Sequence, residues 1–211
     1  MRRSLIAVTM VAVTFALLSA LATAQGGRPP SPDGTAATEI RGRYVGGGDE
    51  PIYQGGKWIE VIFGRPIKRG RDLWGSGANY GRDALVGTPI WRAGANVSTR
   101  LKTEVPLVIN GKNIAPGTYT MFIDLKPNNW TLIVSNWKAQ ADYDPDNKTE
   151  IWGAYGYTKD KDIVRAPMKV ETLPHSHEEL VWEFLDVSDA GGILAIMWDK
   201  TMASVPFKVG S

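Results

Sequence analysis

Val105-Pro106-Leu107-Val108-Ile109-Asn110-Gly111, then Ala115-Pro116-Gly117, then Thr118-Tyr119-Thr120-Met121-Phe122-Ile123-Asp124 is the stretch that decides the fold. An apolar run ends in Asn-Gly, the dipeptide best able to supply the two positive φ angles of a two-residue hairpin. The run that follows the second turn is built of Thr, Tyr, Phe and Ile, side chains that suit a pleated, half-buried surface. Pro127-Asn128-Asn129 then turns the chain into Trp130-Thr131-Leu132-Ile133-Val134-Ser135. Strand-like runs thus succeed one another with only turns between them.

The same grammar extends in both directions. Upstream, Lys57-Trp58-Ile59-Glu60-Val61-Ile62-Phe63 reads as a strand closed by Gly64-Arg65-Pro66. Downstream, Val164, Ala166, Met168 and Val170 alternate with polar residues, and Pro167 places that strand at a sheet edge. Leu180 to Val187, Ile193 to Trp198 and Val205 to Val209 supply further strands, and only Ala84 to Ala93 offers room for a short helix. No segment after residue 24 carries a convincing apolar period of 3.6. The expected architecture is an all-β, antiparallel β-sandwich, jelly-roll-like in connectivity, formed by one domain over residues 51–211.

The chain before that domain has a different character. Arg2 and Arg3 precede an apolar run from Leu5 to Leu21, and Ala22-Thr23-Ala24 has the small-x-small form of a signal-peptidase site. Residues 1–24 are therefore expected to be a signal peptide, with a periplasmic or secreted product that keeps no membrane span after cleavage. Residues 25–50 are rich in Gly, Pro, Ser and Thr and are expected to be a flexible leader, with a short strand near Ile40 to Val45.

Composition sets limits on function. The 211 residues include 24 basic and 22 acidic side chains, and loss of the first 24 residues removes two of the basic ones. The remaining chain is neutral and has no basic run, which argues against nucleic acid as a partner. With no Cys there is no disulfide framework, thiol nucleophile or thiolate metal site. Eight Trp and seven Tyr are the excess; most are expected in the packing, with Trp74, Trp137 and Trp152 in exposed, loop-like contexts.

Three blocks carry a family likeness. They are Phe63-Gly64-Arg65-Pro66 with Gly70-Arg71 and Leu73-Trp74, Ile90-Trp91-Arg92-Ala93-Gly94-Ala95-Asn96 with Ser98-Thr99, and Ile109-Asn110-Gly111-Lys112 leading to Ala115-Pro116-Gly117-Thr118-Tyr119. Asn136-Trp137, Trp152-Gly153-Ala154-Tyr155 and Val205-Pro206-Phe207 continue the pattern. In their order and spacing, over about residues 50–209, they resemble the bacterial domain-of-unknown-function family 2911. The resemblance implies an exported protein with a compact β domain and implies no activity. A longer insert around Ala139 to Glu150 departs from the pattern.

The blocks also hold the candidate ligand-binding residues: Arg65, Arg71, Trp74, Tyr80, Trp91, Arg92 and Asn96. Arg presents a planar fork of donors that fits carboxylate or phosphate, Asn adds an acceptor and two donors, and the aromatic rings supply a stacking wall. The plainer alternative is that each Arg ties a loop together through nearby carbonyls or carboxylates. His175 and His177 are weak metal candidates, since residues two apart on a strand face the same way; Pro174 just before them points instead to a solvated connector. The Asp142-Tyr143-Asp144-Pro145-Asp146 loop lacks the Gly and Glu of a helical calcium loop. No catalytic residue is identified, because no Gly-x-Ser-x-Gly or other nucleophile motif occurs, and no cofactor is called for. The favoured reading is a non-enzymatic binding module for a small ligand, glycan or envelope protein. A carboxylate- or metal-dependent hydrolase and a structural or assembly protein are the alternatives.

Overall fold

Antiparallel pairing of alternating runs produces two sheets. A computed structural model of the chain describes residues 29–48 and 50–210, so the expected signal peptide and the start of the leader lie outside the described residues. The large sheet takes β1 (Asp33–Ile40), β4 (Lys57–Gly64), β5 (Thr99–Thr103), β8 (Gly117–Asp124), β9 (Thr131–Ser135) and β12 (Asp162–Pro167), in that spatial order. The small sheet takes β13 (Lys169–Ser188), β14 (Gly191–Val209), β6 (Leu107–Ile109) and β7 (Lys112–Ile114). Two short pairs complete the described strands: β2 (Arg43–Val45) with β3 (Ile52–Gln54), and β10 (Lys138–Ala139) with β11 (Glu150–Ile151).

The expected antiparallel sandwich is the fold. Its large sheet is a meander with excursions, a plainer connectivity than jelly-roll wrapping: each strand from β4 onward lies beside its nearest predecessor in that sheet. The Asn110-Gly111 hairpin is one of the excursions. Both residues adopt positive φ, 48° and 71°, and the turn delivers β6 and β7 to the opposite sheet.

Alternation explains the core. Ile59, Val61 and Phe63 on β4, Leu101 on β5, Met121 and Ile123 on β8, and Leu132 and Val134 on β9 point inward. They meet Leu107, Ile109, Leu180, Trp182, Leu194, Ile196, Val205 and Phe207 of the small sheet. The other face of the large sheet is different. Phe122, Ile133 and Ile90 form a small separate cluster there, capped by Ile151 and Ala154 with Trp137 and Tyr157 alongside. The segment between β9 and β12 thus lies as a partial third layer on the outer face.

Two expectations need correction. The leader is not wholly flexible: Asp33–Ile40 pairs along its full length with β4 as an edge strand. Glycine there serves packing, since a Cβ on Gly34 would sit 2.8 Å from the Phe63 ring. The segment around Pro174 is not a connector either. It lies within the 20-residue strand β13, where register shifts between Thr172 and Val181 let the long hairpin continue past the proline.

Candidate functional site

The first motif block ends β4 and turns outward. A side chain at Gly64 would collide with the Ala95 carbonyl, and with glycine there the Ala95 amide donates to the Gly64 carbonyl at 3.0 Å. Pro66 accepts from the Leu180 amide at 3.0 Å, and the Lys68 amide donates to the Glu178 carbonyl at 2.7 Å. The block is thereby fixed to β13 on one side and to the second block on the other.

The second block is anchored at one end and strained beyond it. Trp91 and Ile123 exchange backbone hydrogen bonds at 2.8 Å in each direction. Ala93 and Asn96 then adopt left-handed φ of 52° and 59°. The Ala93 carbonyl is pinned by the Trp182 indole at 2.9 Å and the Thr99 hydroxyl at 3.2 Å. Val86, a β-branched residue, also sits at a φ of 51°. Such conformations cost about 1–3 kcal/mol each and concentrate where a site must be held in shape.

Beneath the blocks lies a tryptophan floor. Trp91 and Trp198 stack at 6.0 Å between centroids, and Trp74 meets Trp91, Trp130 and Trp198 edge-on at 5.7, 4.7 and 6.1 Å. The Trp130 indole donates to the Tyr80 hydroxyl at 2.7 Å. Trp74 and Tyr80 therefore build the floor and do not line the opening.

Above the floor is a cleft of about 190 Å³ walled by Arg71, Asp83, Val86, Trp91, Arg92 and Asn96, among others. A neighbouring hollow of about 310 Å³ extends past Arg82 and Asn79, sharing Arg71 and Asp83 with the cleft. Four of the seven sequence candidates thus converge. Arg71 is partly committed, donating to the Lys68 carbonyl at 3.0 Å and the Ile67 carbonyl at 2.7 Å while lying 5.5 Å from the Trp198 ring. Asn96 is exposed and donates to the Ser31 carbonyl at 3.3 Å. Arg65 stands apart, 3.5 Å from Glu179 and packed over Phe63. Arg92 is half-buried, its Nε has no partner, and no carboxylate pairs with it among the described residues. Burial pulls its pKa down, against an opposing pull from Tyr155.

With these blocks seen to meet in one place, comparison with known families decides their membership. A family model described as "Protein of unknown function (DUF2911)" matches residues 50–207. The chain belongs to the DUF2911 family. No curated protein and no solved structure matches it.

The other candidates of this DUF2911 member fall elsewhere. His175 is exposed on β13, and His177 lies opposite Asp199 in the hairpin register. Asp199 is already engaged by Lys68 at 2.6 Å and Ser176 at 2.7 Å; burial alone would raise its pKa, but these partners outweigh it and hold the carboxyl below its ordinary value. Among the described residues no three His, Asp or Glu side chains gather as a metal site requires.

The insert and the residues flanking it form a second hollow that the sequence did not assemble. Trp137, Tyr143, Trp152 and Tyr155 wall a cavity of about 310 Å³, together with Asp144, Lys148 and Glu150. The visible signal was four aromatic residues bracketing a polar loop. The exposure expected of Trp74, Trp137 and Trp152 is only partial in each, and Trp58, 45% exposed on β4, is the most open tryptophan named.

Proposed function

We propose that this DUF2911 domain is a non-enzymatic binding module that takes a small, hydroxylated anion into the cleft of Arg71, Arg92 and Asn96. One observation carries the reading: Arg92 stands half-buried at the cleft wall with an unpartnered Nε and, among the described residues, no carboxylate in salt-bridge contact with it. A buried charge without a counter-ion is costly, and a carboxylate or phosphate ligand supplies the missing partner in the geometry that guanidinium favours. The left-handed residues on the same wall, Val86 and Asn96, support a site held in shape before the ligand arrives. The N-terminal Arg pair, apolar run and Ala22-Thr23-Ala24 support export to the periplasm or beyond.

Arg92→Met is the test. Thermal unfolding is followed with and without inorganic phosphate, citrate and glucose 6-phosphate. The wild type is expected to gain stability with at least one of them, while Arg92→Met shows no such gain and yet unfolds at the same temperature as the wild type or higher. A purely structural Arg92 gives the opposite result: a lower unfolding temperature and no ligand effect in either protein. Arg65→Met is expected to keep the ligand response.

A further inference from the structure

We propose that the cavity walled by Trp137, Tyr143, Trp152 and Tyr155 is a second site, adjoining Arg92 through Tyr155, that binds a neutral pyranoside. The two clefts differ in charge and construction. The Arg92 cleft is built by the motif blocks and is cationic. The aromatic cavity is built by the insert together with its flanking aromatics, with Asp144 and Glu150 set against Lys148, so an anion finds no net attraction there.

The wall has the chemistry that sugar recognition needs. The C–H bonds on one face of a pyranose carry slight positive charge and pack against the negative face of an aromatic ring. Its hydroxyls need donors and acceptors at the rim, and small-ligand sites combine mostly apolar walls with a few fixed polar groups. Tyr143 and Trp152 stand 5.8 Å apart between centroids at a tilt of 58°. Tyr143 is 62% exposed and Tyr155 49% exposed, so both rings are open to solvent at the hollow. Glu150 offers a carboxylate with one oxygen engaged by Asn147 at 3.0 Å, and Lys148 is held by the Pro145 carbonyl with protons to spare.

The loop is also stiffened in advance. Gln140, buried beneath it, donates to the carbonyls of Asp144, Asn147 and Glu150 at 3.1, 3.4 and 3.2 Å and accepts from the Asp144 amide at 2.9 Å. The Asn147 carboxamide oxygen accepts from the amides of Thr149 and Glu150, each at 3.0 Å. Trp137 is fixed by its indole bond to the Thr158 carbonyl at 3.2 Å and by the Lys161 ammonium 3.7 Å from its ring. A surface loop organised from within, presenting open rings, loses little freedom when a ligand docks. A merely solvated insert needs no buried glutamine spanning four of its backbone groups.

The experiment titrates the full domain with cellotetraose, maltotetraose, xylotetraose and chitotetraose, read by tryptophan fluorescence and calorimetry. Saturable binding to at least one is expected. Trp152→Ala and Tyr143→Ala should each weaken it about tenfold or more, whereas Trp58→Ala leaves it unchanged. Tyr143 is exposed, so its variant is expected to keep the wild-type unfolding temperature, which separates lost binding from lost folding. Binding to none of the four sugars, or equal binding by wild type, Trp152→Ala and Tyr143→Ala, overturns the proposal.

Discussion

The two faces of the large sheet are held by different physics. The inner face packs Ile, Leu, Val and Met against the small sheet, and the core there includes four clustered Trp. The outer face has a cluster of five buried apolar residues and, next to it, a polar network. In that network Arg165 donates to Asp124 at 2.7 Å and to Asp162 at 2.8 Å, and the Tyr157 hydroxyl donates to Asp162 at 2.6 Å. Further along the same face, Lys102 pairs with Glu60 at 3.0 Å. One strand shows the division by itself: on β8, Met121 and Ile123 enter the main core while Phe122 and Asp124 serve the outer layer. The lesson is that a face can be covered without being part of the main core.

The strongest challenge to this contrast is Trp91→Ala. It removes a fully buried ring from the floor and should cost about 4 kcal/mol, seen as a global shift in urea unfolding. Arg165→Met comes next. It strands the Asp162 carboxylate, whose side chain is 6% exposed, and should cost about 3 kcal/mol. Equal loss at Trp91 and Arg165 would mean that the outer network is as central as the core. Ile151→Ala should cost about 2 kcal/mol, and hydrogen exchange should show lost protection confined to residues 136–157. Spread of that loss to β4 and β5 would erase the distinction.

The smallest effect is a pH dependence at Tyr157. Burial, and then the bond to Asp162, hold its phenol above the ordinary value of 10.0. A group with a raised folded pKa contributes stability that is whole below the unfolded value and is lost as pH climbs through the folded one. The advantage of wild type over Tyr157→Phe should therefore be constant at neutral pH and shrink above pH 10. Equilibrium unfolding across that range measures it, and a difference independent of pH would detach Tyr157 from the network.

Much of the sandwich was legible because period-two alternation and turn chemistry are local signals. Asn110-Gly111 announced its hairpin, and Ile59, Val61 and Phe63 announced their face. Asp33–Ile40 was not legible, because its Gly and Thr residues lack the bulk of a strand and its pairing is supplied by β4. Of the motif cleft, Arg71, Trp91, Arg92 and Asn96 could be named from the blocks. That Trp74 and Tyr80 lie beneath them depends on ring packing across both sheets, and no spacing encodes that. The aromatic cavity was harder still, because rings from positions 137 to 155 converge only after the loop folds over Gln140.

The pairing of distant segments also governs when the molecule can form. Phe207 lies opposite Ile109, Leu180 bonds to Pro66, and Trp198 completes the tryptophan floor. Without β14, β13 has no partner in the small sheet and the β6–β7 hairpin is not joined to it. Contacts so far apart in sequence are slow to close. Closure of the small sheet therefore waits on β14, the one strand that ties the long hairpin to the early one.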